Sequence, residues 1–260
     1  MIADWAKIGT LAMDIDGTLS TSGRFSSEVI AALRALKGAG FTLILVTGRP
    51  SGWVQGLVSY LPVDAAIAEN GGVVFREPEG APLLRQPQGI GYHAVADGHS
   101  LRSGLATVFQ RLLIKNPDLK VTEDNIYRLS DFTFHVDGLS SERLLELKAE
   151  VESQGFAFTW STIHAHIMPR GQEKGAALCW LLREMGISVF PAHSTLTVGD
   201  SPNDVTLFDE SRFPYTAGVA NIEKYRRVMN AFPKVISTRS EGDGFVEIAR
   251  SLLQLKGVML

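Results

Sequence analysis

Two aspartates separated by one residue follow a short apolar stretch near the start of the sequence. In LAMDIDGTLS, Asp14 and Asp16 come directly after Leu-Ala-Met and just before Gly17. A glycine at that position lets the chain turn, so that Asp16 is brought back towards the same site. One carboxylate can then attack phosphorus, while the other protonates the leaving oxygen and later deprotonates water. The pair therefore predicts a site for phosphoryl transfer.

Further polar side chains follow other predicted strands or open a predicted helix. They are Thr47 after FTLILV, Lys174 at a helix start, and Asp200, Asn203 and Asp204 after TLTV. Ligands of open parallel sheets bind outside the carboxyl ends of the strands. Carboxylates gathered there would repel one another, and a hard divalent cation such as Mg²⁺ relieves that repulsion. Lys174 and Thr47 add a positive charge and a hydroxyl donor, so the set predicts a magnesium site that holds a phosphoryl group.

The elements that must position these residues alternate between strands and helices. Over about the first 80 residues, and again after about residue 169, short apolar strands alternate with amphipathic helices. The run FTLILV is apolar on both faces, which is typical of a parallel strand covered by helices on both sides. This order predicts an α/β fold with a doubly wound, Rossmann-like parallel sheet.

The middle of the chain follows a different pattern. DFTFHVDG and FTWSTIHAHIMP alternate with period two, which is typical of an antiparallel sheet with one covered face. Two amphipathic helices accompany them, and the Pro- and Gly-rich segment 79–93 is predicted to be a connector. We therefore divide the chain into a core (1–82), an inserted α+β cap (83–168) and the second part of the core (169–260).

Four motifs occur in an order that resembles the haloacid dehalogenase superfamily of phosphatases. They are DIDGT, the threonine of VTGR, the lysine of EKG, and GDSPND. The insertion resembles the C2B-type cap of the Cof-like (type IIB) subfamily, which includes sugar phosphatases and the sucrose-phosphate and mannosyl-3-phosphoglycerate phosphatases. ENGG at 69–72 also resembles the usual end of the third strand in that subfamily. The resemblance spans nearly the whole chain.

The resemblance implies roles for individual residues. Asp14 would be the nucleophile and Asp16 the general acid and base. The residues implied for the phosphoryl group or the substrate are Thr47, Gly48, Arg49, Lys174 and Asn203. Those implied for Mg²⁺ are Asp14, Asp16 through its carbonyl, and Asp200, with Asp204 in or behind that shell. The expected activity is hydrolysis of a small phosphorylated metabolite, which we interpret as a sugar phosphate, through an aspartyl-phosphate.

Several side chains of the insert are candidates for contact with the leaving group. His164 and His166 lie two residues apart and share one face of a strand. We interpret them, together with His135, as part of a polar sheet face that covers the active site rather than as a metal pair. Trp160 is either a packing residue or a substrate contact. Asn70, beside a strand end, either contacts the substrate or braces a loop.

Composition restricts the possible partners and the compartment. The chain has 260 residues, a net charge of −3 and mixed acidic and basic residues, so we expect neither nucleic acid nor an anionic membrane as a partner. Its one cysteine, Cys179, precludes an intrachain disulfide. With no signal-like N-terminus and no apolar span of about 18 residues, we expect a cytoplasmic protein. The oligomeric state is not predicted.

Two alternative functions remain open on the sequence. A phosphomutase of the same fold would return the phosphoryl group to a second hydroxyl, and the rate of monophosphate hydrolysis separates it from a phosphatase. A receiver-like signalling domain also combines clustered aspartates with a threonine and a lysine. Such domains are about half this length and would have no reason to carry an insert, so we favour the phosphatase.

Overall fold

The computed structural model describes residues 2–76, 83–84, 98–187 and 191–260. The predicted connector therefore lies outside the described residues, except for Leu83 and Leu84. The described chain is organised around two sheets, one of eight strands and one of three. No helix in this part of the chain combines the length and the apolar character that crossing a membrane requires.

The large sheet is mostly parallel. Its strands are β1 (Thr10–Met13), β2 (Thr42–Val46), β3 (Ala65–Ala68), β4 (Val73–Arg76), β5 (Leu83–Leu84), β9 (Thr195–Gly199), β10 (Tyr215–Gly218) and β11 (Val235–Ile236). Their spatial order is β11-β10-β9-β1-β2-β3-β4-β5. Every neighbouring pair from β11 to β3 is parallel, which confirms the predicted doubly wound α/β sheet.

Two antiparallel strands extend one edge of this sheet, and the sequence did not predict them. β4 pairs with β3, and β5 pairs with β4. The turn from β3 to β4 is only a few residues long, and a chain that reverses so quickly can pair only in the antiparallel sense. The division of the sequence at residue 83 assigns Leu83 and Leu84 to the insert, whereas the structure pairs them with the core sheet.

Helices cover both faces of the large sheet. They are α1 (Ser27–Gly38), α2 (Ser51–Tyr60), α5 (Lys174–Glu184) and α6 (Glu241–Leu255). In β2, Leu43 and Leu45 pack in the cluster with α1, α2 and α6, while Ile44 and Val46 pack in the cluster with α5. Because both faces of the strand are buried, its carboxyl end is held rigidly where the polar residues begin.

The insert forms the predicted α+β module. Its elements are α3 (Gly98–Lys115), β6 (Phe132–His135), α4 (Ser141–Ser153), β7 (Ala157–Trp160) and β8 (His164–Met168). The strands are antiparallel in the order β6-β8-β7, as the period-two pattern predicts. One face carries Phe134, Phe158 and Ile167, which pack with apolar residues of α3 and α4. Pairing of Thr133 with His166, and of His135 with His164, places these polar residues on the other face.

Candidate active site

The carboxyl ends of three adjacent strands bring the predicted polar residues together. β1 lies between β2 and β9, so Asp14, Thr47 and Asp200 follow neighbouring strands. The Asp14 N–H donates to the carbonyl of Val198 at 2.9 Å, and that of Thr47 donates to Ile67 at 2.8 Å. These bonds continue the sheet ladder beyond the strands, so the backbone carrying both side chains is fixed.

Three buried carboxylates form a cluster at this edge. Asp14, Asp200 and Asp204 each present an oxygen, and these oxygens lie within 4.8 Å of one another. Burial raises the pKa of Asp14 to about 7, and it raises that of Asp200 well above its ordinary value, with neighbouring carboxylates adding to both shifts. Hard oxygen donors with excess negative charge are the ligand set that Mg²⁺ prefers, so these residues fit the predicted cation.

Lys174 supplies a positive charge inside this cluster. Its Nζ donates to Asp14 Oδ1 at 2.6 Å and to Asp204 Oδ1 at 2.7 Å, and the side chain is fully buried. Burial alone would lower the pKa of Lys174, but the charges of the two aspartates raise it above its ordinary value. The lysine is therefore a fixed cation beside the predicted nucleophile, where negative charge on a phosphoryl group would develop.

Asp204 and Asn203 are placed by hydrogen bonds of the loop that follows β9. Asp204 Oδ2 accepts from the N–H groups of Asp200 at 2.9 Å and Ser201 at 3.2 Å. Asn203 Oδ1 accepts from the hydroxyl of Ser201 at 2.7 Å, and its Nδ2 donates to Asn70 Oδ1 at 3.1 Å. Asp204 thus orients both Lys174 and the backbone at Asp200, in addition to its membership of the cluster.

The carboxylate of Asp16 contacts Arg49 rather than the cluster. Arg49 Nε lies 2.6 Å from Asp16 Oδ2, and Nη2 lies 2.6 Å from Oδ1. The guanidinium also stacks over Trp53, with its carbon 5.1 Å from the ring centroid. Since both carboxylate oxygens are engaged, the predicted contact of Asp16 with a cation would use its main-chain carbonyl. Arg49, which is predicted to bind substrate, contacts the predicted acid and base in this structure.

The glycine after Asp16 is required by the approach of Asp200. Gly17 has φ of +81°, and a Cβ there would lie 2.6 Å from Asp200 Oδ2. The same carboxylate accepts from Thr18 Oγ1 at 3.2 Å and from Asn221 Nδ2 at 2.7 Å. Asn221 also donates to the carbonyl of Gly17 at 3.0 Å, so it ties the turn to the cluster. Sequence reasoning missed Asn221, although it follows the predicted strand YTAGVA and a search of every strand end would have found it.

Gly48 lies directly under the cap. A Cβ on Gly48 would be 3.0 Å from His166 Cε1 and 3.2 Å from Asn70 Nδ2, so a larger residue would require these side chains to move by a few tenths of an ångström. Next to it, Thr47 Oγ1 accepts from the N–H of Arg49 at 3.1 Å, which leaves the hydroxyl proton to be donated elsewhere. The predicted phosphate-binding segment is therefore enclosed between core and cap.

The cap histidines face the site, as the polar-face interpretation predicts. His166 Nδ1 lies 2.8 Å from Asp131 Oδ2, and burial lowers the pKa of His166. Burial also lowers the pKa of His164, to about 3, so the His164 ring is neutral at pH 7. Within the described ranges, no metal-ligating group of three or more residues includes either ring.

A buried polar network joins the cap to the core, and sequence reasoning missed it. The carboxylate of Glu69 accepts from the N–H of Ser51 at 2.9 Å and of Leu129 at 3.0 Å. It also accepts from the N–H of Ser130 at 2.6 Å and from its hydroxyl at 2.8 Å. Burial raises the pKa of Glu69, and the charge of Asp131 adds to the shift. These partners are 18 to 61 residues apart in sequence, so no local pattern indicates them.

Arg128 forms the second part of this network. Its side chain is fully buried and pairs with Asp124 at 2.8 Å and Asp131 at 2.9 Å. Its Nη1 also donates to the carbonyl of Gly48 at 2.9 Å. Because Gly48 lies between Thr47 and Arg49, this cap residue holds the predicted phosphate-binding segment directly.

Comparison with known proteins identifies the family. A family model described as haloacid dehalogenase-like hydrolase matches residues 11–89 and 107–248. The phosphoglycolate phosphatase of Methanobrevibacter smithii is 27% identical over 251 residues, which cover 93% of this chain and 97% of that protein. A solved structure from Thermoplasma acidophilum has a TM-score of 0.70 and 24% identity, over 95% of this chain and 99% of that one.

A second solved structure has the same overall fold. The sucrose-phosphatase of Synechocystis, solved with sucrose and phosphate, has a TM-score of 0.66 and 18% identity. The match covers 94% of this chain and 97% of that one. The match of the family model to most of the chain, together with the order of the motifs and the capped α/β fold, establishes that this chain belongs to the haloacid dehalogenase-like hydrolases and is an enzyme of their phosphatase branch.

Proposed function

We propose that this enzyme hydrolyses a small phosphate monoester through an aspartyl-phosphate on Asp14. The observation that carries the proposal is the position of Lys174, whose ammonium bridges Asp14 and Asp204 within the buried carboxylate cluster. A carboxylate held in this way is aimed and cannot rotate freely. The fixed cation beside it attracts the phosphoryl oxygens.

The first step transfers the phosphoryl group to the enzyme. A carboxylate oxygen of Asp14 forms a bond to phosphorus while the ester P–O bond breaks, and the leaving alcohol oxygen takes a proton from Asp16. In the second step, a water molecule attacks the phosphorus of the aspartyl-phosphate, the bond between phosphorus and the Asp14 oxygen breaks, and Asp16 accepts a proton from the water. Inorganic phosphate is released, and both aspartates return to their starting states.

Asp16 must exchange partners before it can act. In the described state both of its oxygens are bound by Arg49. An incoming phosphoryl group offers Arg49 a second anion of suitable geometry, since guanidinium binds phosphate and carboxylate with the same fork. We infer that substrate binding draws Arg49 away from one oxygen of Asp16, which then takes up a proton from solvent water and faces the leaving group.

Mg²⁺ is the cofactor that we propose, held by Asp14, Asp200 and the carbonyl of Asp16, with Asp204 in or behind this set. When bound, it would offset the excess negative charge of the cluster and help to orient the phosphoryl oxygens. The protein's own contribution is to hold Asp200 by Thr18 and Asn221.

The named substrates of the relatives, phosphoglycolate and sucrose phosphate, support a small phosphorylated metabolite as the substrate.

The test is hydrolysis of p-nitrophenyl phosphate and a panel of phosphorylated metabolites with Mg²⁺. We expect Asp14→Asn to lower the rate to background, because an amide cannot attack phosphorus. Asp118→Asn, at an exposed position of the cap, is the matched control and should leave the rate unchanged. Near-normal turnover by a folded Asp14→Asn variant would refute the mechanism. Rearranged phosphate esters in place of inorganic phosphate would indicate a phosphomutase.

A further inference from the structure

The three carbonyl oxygens of the segment Thr47–Arg49 are held by three different donors. The first and the third accept from the N–H groups of Asn70 and Glu69, at 3.0 Å each. Both of these donors belong to the core, in the turn that follows β3. The carbonyl of Gly48, in the middle, accepts instead from Arg128 Nη1 at 2.9 Å, although the two residues are 80 positions apart. The cap therefore holds the central peptide of the predicted phosphate-binding segment.

The guanidinium of Arg128 is fixed on every side, and its side chain is fully buried. Nε and Nη2 donate to Asp124 at 3.1 and 2.8 Å, and Nη1 donates to both carboxylate oxygens of Asp131 at 2.9 and 3.0 Å. Asp131 also contacts His166, whose ring lies against Gly48. Because a guanidinium stays protonated in proteins, this group is a fixed cation whose N–H points at the Gly48 carbonyl.

The peptide that Arg128 holds carries the N–H that binds the Thr47 hydroxyl. The carbonyl of Gly48 and the N–H of Arg49 belong to one planar peptide unit, so fixing the oxygen also sets the direction of the N–H. That N–H donates to Thr47 Oγ1 at 3.1 Å. A charged donor on the carbonyl polarises the peptide and strengthens the bond that its N–H makes. The hydroxyl of Thr47, which accepts this bond, keeps its own proton for another acceptor.

We propose that Arg128 is a positioning residue for the phosphoryl group. Through the peptide between Gly48 and Arg49, it orients the hydroxyl of Thr47, which donates its proton to a phosphoryl oxygen. The cap thereby strengthens phosphoryl binding without touching the phosphoryl group, and it does so only while it is docked on the core. This inference rests on the proposed phosphatase activity and on the role predicted for Thr47.

The first experiment measures the affinity for inorganic phosphate by titration calorimetry in the presence of Mg²⁺. Arg128→Lys keeps a positive charge beside Asp124 and Asp131, but one ammonium cannot reproduce the fork that also reaches Gly48. We expect the Kd for phosphate to rise about 10-fold, the value of one hydrogen bond to a charged group. An unchanged Kd in a folded Arg128→Lys variant would overturn the proposal.

Arg102→Lys is the matched control. Arg102 donates to the carbonyls of Asn125 and Asp131, in the same part of the cap as Arg128, and its hydrogen bonds to described residues all lie within the cap. The Kd for phosphate should therefore stay unchanged in this variant. An equal rise for Arg102→Lys and Arg128→Lys would show that a loosened cap, and not the lost bond to Gly48, weakens phosphate binding, and the proposal would be wrong.

The second experiment distinguishes positioning of Thr47 from mere fastening of the cap. Thr47→Val removes the hydroxyl on which Arg128 is proposed to act. In that background, Arg128→Lys should change both the Kd for phosphate and kcat/KM for p-nitrophenyl phosphate by less than about 2-fold, because residues that act through one another are not additive. The same fold-change with and without the Thr47 hydroxyl would contradict the proposed route.

A variant without buried charges keeps the proposal testable if Arg128→Lys does not fold. Asp124→Asn, Arg128→Met and Asp131→Asn together remove the guanidinium and both carboxylates, so no charge of this group is left unpaired. We expect the same rise in the Kd for phosphate, and no further rise when these changes are added to Thr47→Val. A rise that persists in the Thr47→Val background would overturn the proposal.

The two proposals fail in different ways. If the unmodified enzyme hydrolyses no ester, p-nitrophenyl phosphate included, the phosphatase activity is refuted. The calorimetric Kd for phosphate does not depend on turnover, so its dependence on Arg128 and Thr47 still decides whether the cap positions the hydroxyl.

Discussion

Replacing Gly17 by alanine should weaken Mg²⁺ binding by a defined route. The new Cβ would lie 2.6 Å from Asp200 Oδ2, and ordinary contact begins at 3.4 Å, so the carboxylate must retreat by about 0.8 Å. That retreat strains the bonds from Thr18 and Asn221 that orient Asp200. Disturbing the partners of a metal ligand typically lowers metal affinity by about 10- to 100-fold. The positive φ adds about 1–2 kcal/mol of destabilisation for any residue other than glycine.

Gly23→Ala separates these two effects. Gly23 also has a positive φ, +74°, but a Cβ there would meet nothing within 4 Å. Gly23→Ala should therefore lose about 1–2 kcal/mol of stability in denaturant unfolding without metal, and Gly17→Ala should lose at least as much, because its Cβ also clashes with Asp200. In rates of p-nitrophenyl phosphate hydrolysis measured against Mg²⁺ concentration, only Gly17→Ala should need about 10- to 100-fold more metal for half-maximal rate.

A second readout does not depend on turnover. A bound cation stabilises the native state more when it binds more tightly, so Mg²⁺ should raise the Tm of Gly23→Ala by as much as it raises that of the unmodified enzyme. For Gly17→Ala, the rise at the same Mg²⁺ concentration should be smaller. If the two variants respond alike to Mg²⁺ in both assays, the contact between Gly17 and Asp200 does not control the site, and the reasoning is refuted.

Three further predictions follow from the same structure. The Asp200→Ala variant should need far more Mg²⁺ than the native enzyme to reach half-maximal rate. Full chelation should abolish the activity of the native enzyme, and Ca²⁺ should inhibit it. Activity that survives full chelation would contradict the proposed Mg²⁺ site. Glu69→Ala leaves several buried N–H and O–H donors without an acceptor, so it should lower the free energy of unfolding by about 3–5 kcal/mol. The control Glu223→Ala, at an exposed position, should lower it by about 0.5 kcal/mol or less. The folded pKa of His164 lies at about 3, below its ordinary 6.5. The free energy of unfolding should therefore fall by up to about 1.4 kcal/mol per pH unit as the pH drops from 6.5 towards about 3. His164→Gln should flatten that slope, whereas exposed His193→Gln should leave it unchanged.

Much of the core and of the candidate site was predictable because it depends on local sequence. Runs of apolar residues and alternation with period two identify the strands. A parallel sheet must then bring the carboxyl ends of its strands to one edge. The strand order consequently brings together Asp14, Thr47 and Asp200. Lys174 was predictable as well, because it is the first residue of α5. The antiparallel edge was missed because β5 is only two residues long and carries no periodic signal.

What the sequence by itself determined is which side chains meet at the candidate site: which carboxylates, which lysine and which turn. What only the tertiary structure decided is how those groups are partnered, because the partners come from distant segments. The bond between Arg49 and Asp16, the hold of Asn221 on Asp200 and the approach of the cap to Gly48 are such cases. A motif specifies residue types along a few positions of chain. Hydrogen-bond geometry and burial depend on how cap and core pack, and that packing is the sum of many weak contacts that no short pattern records.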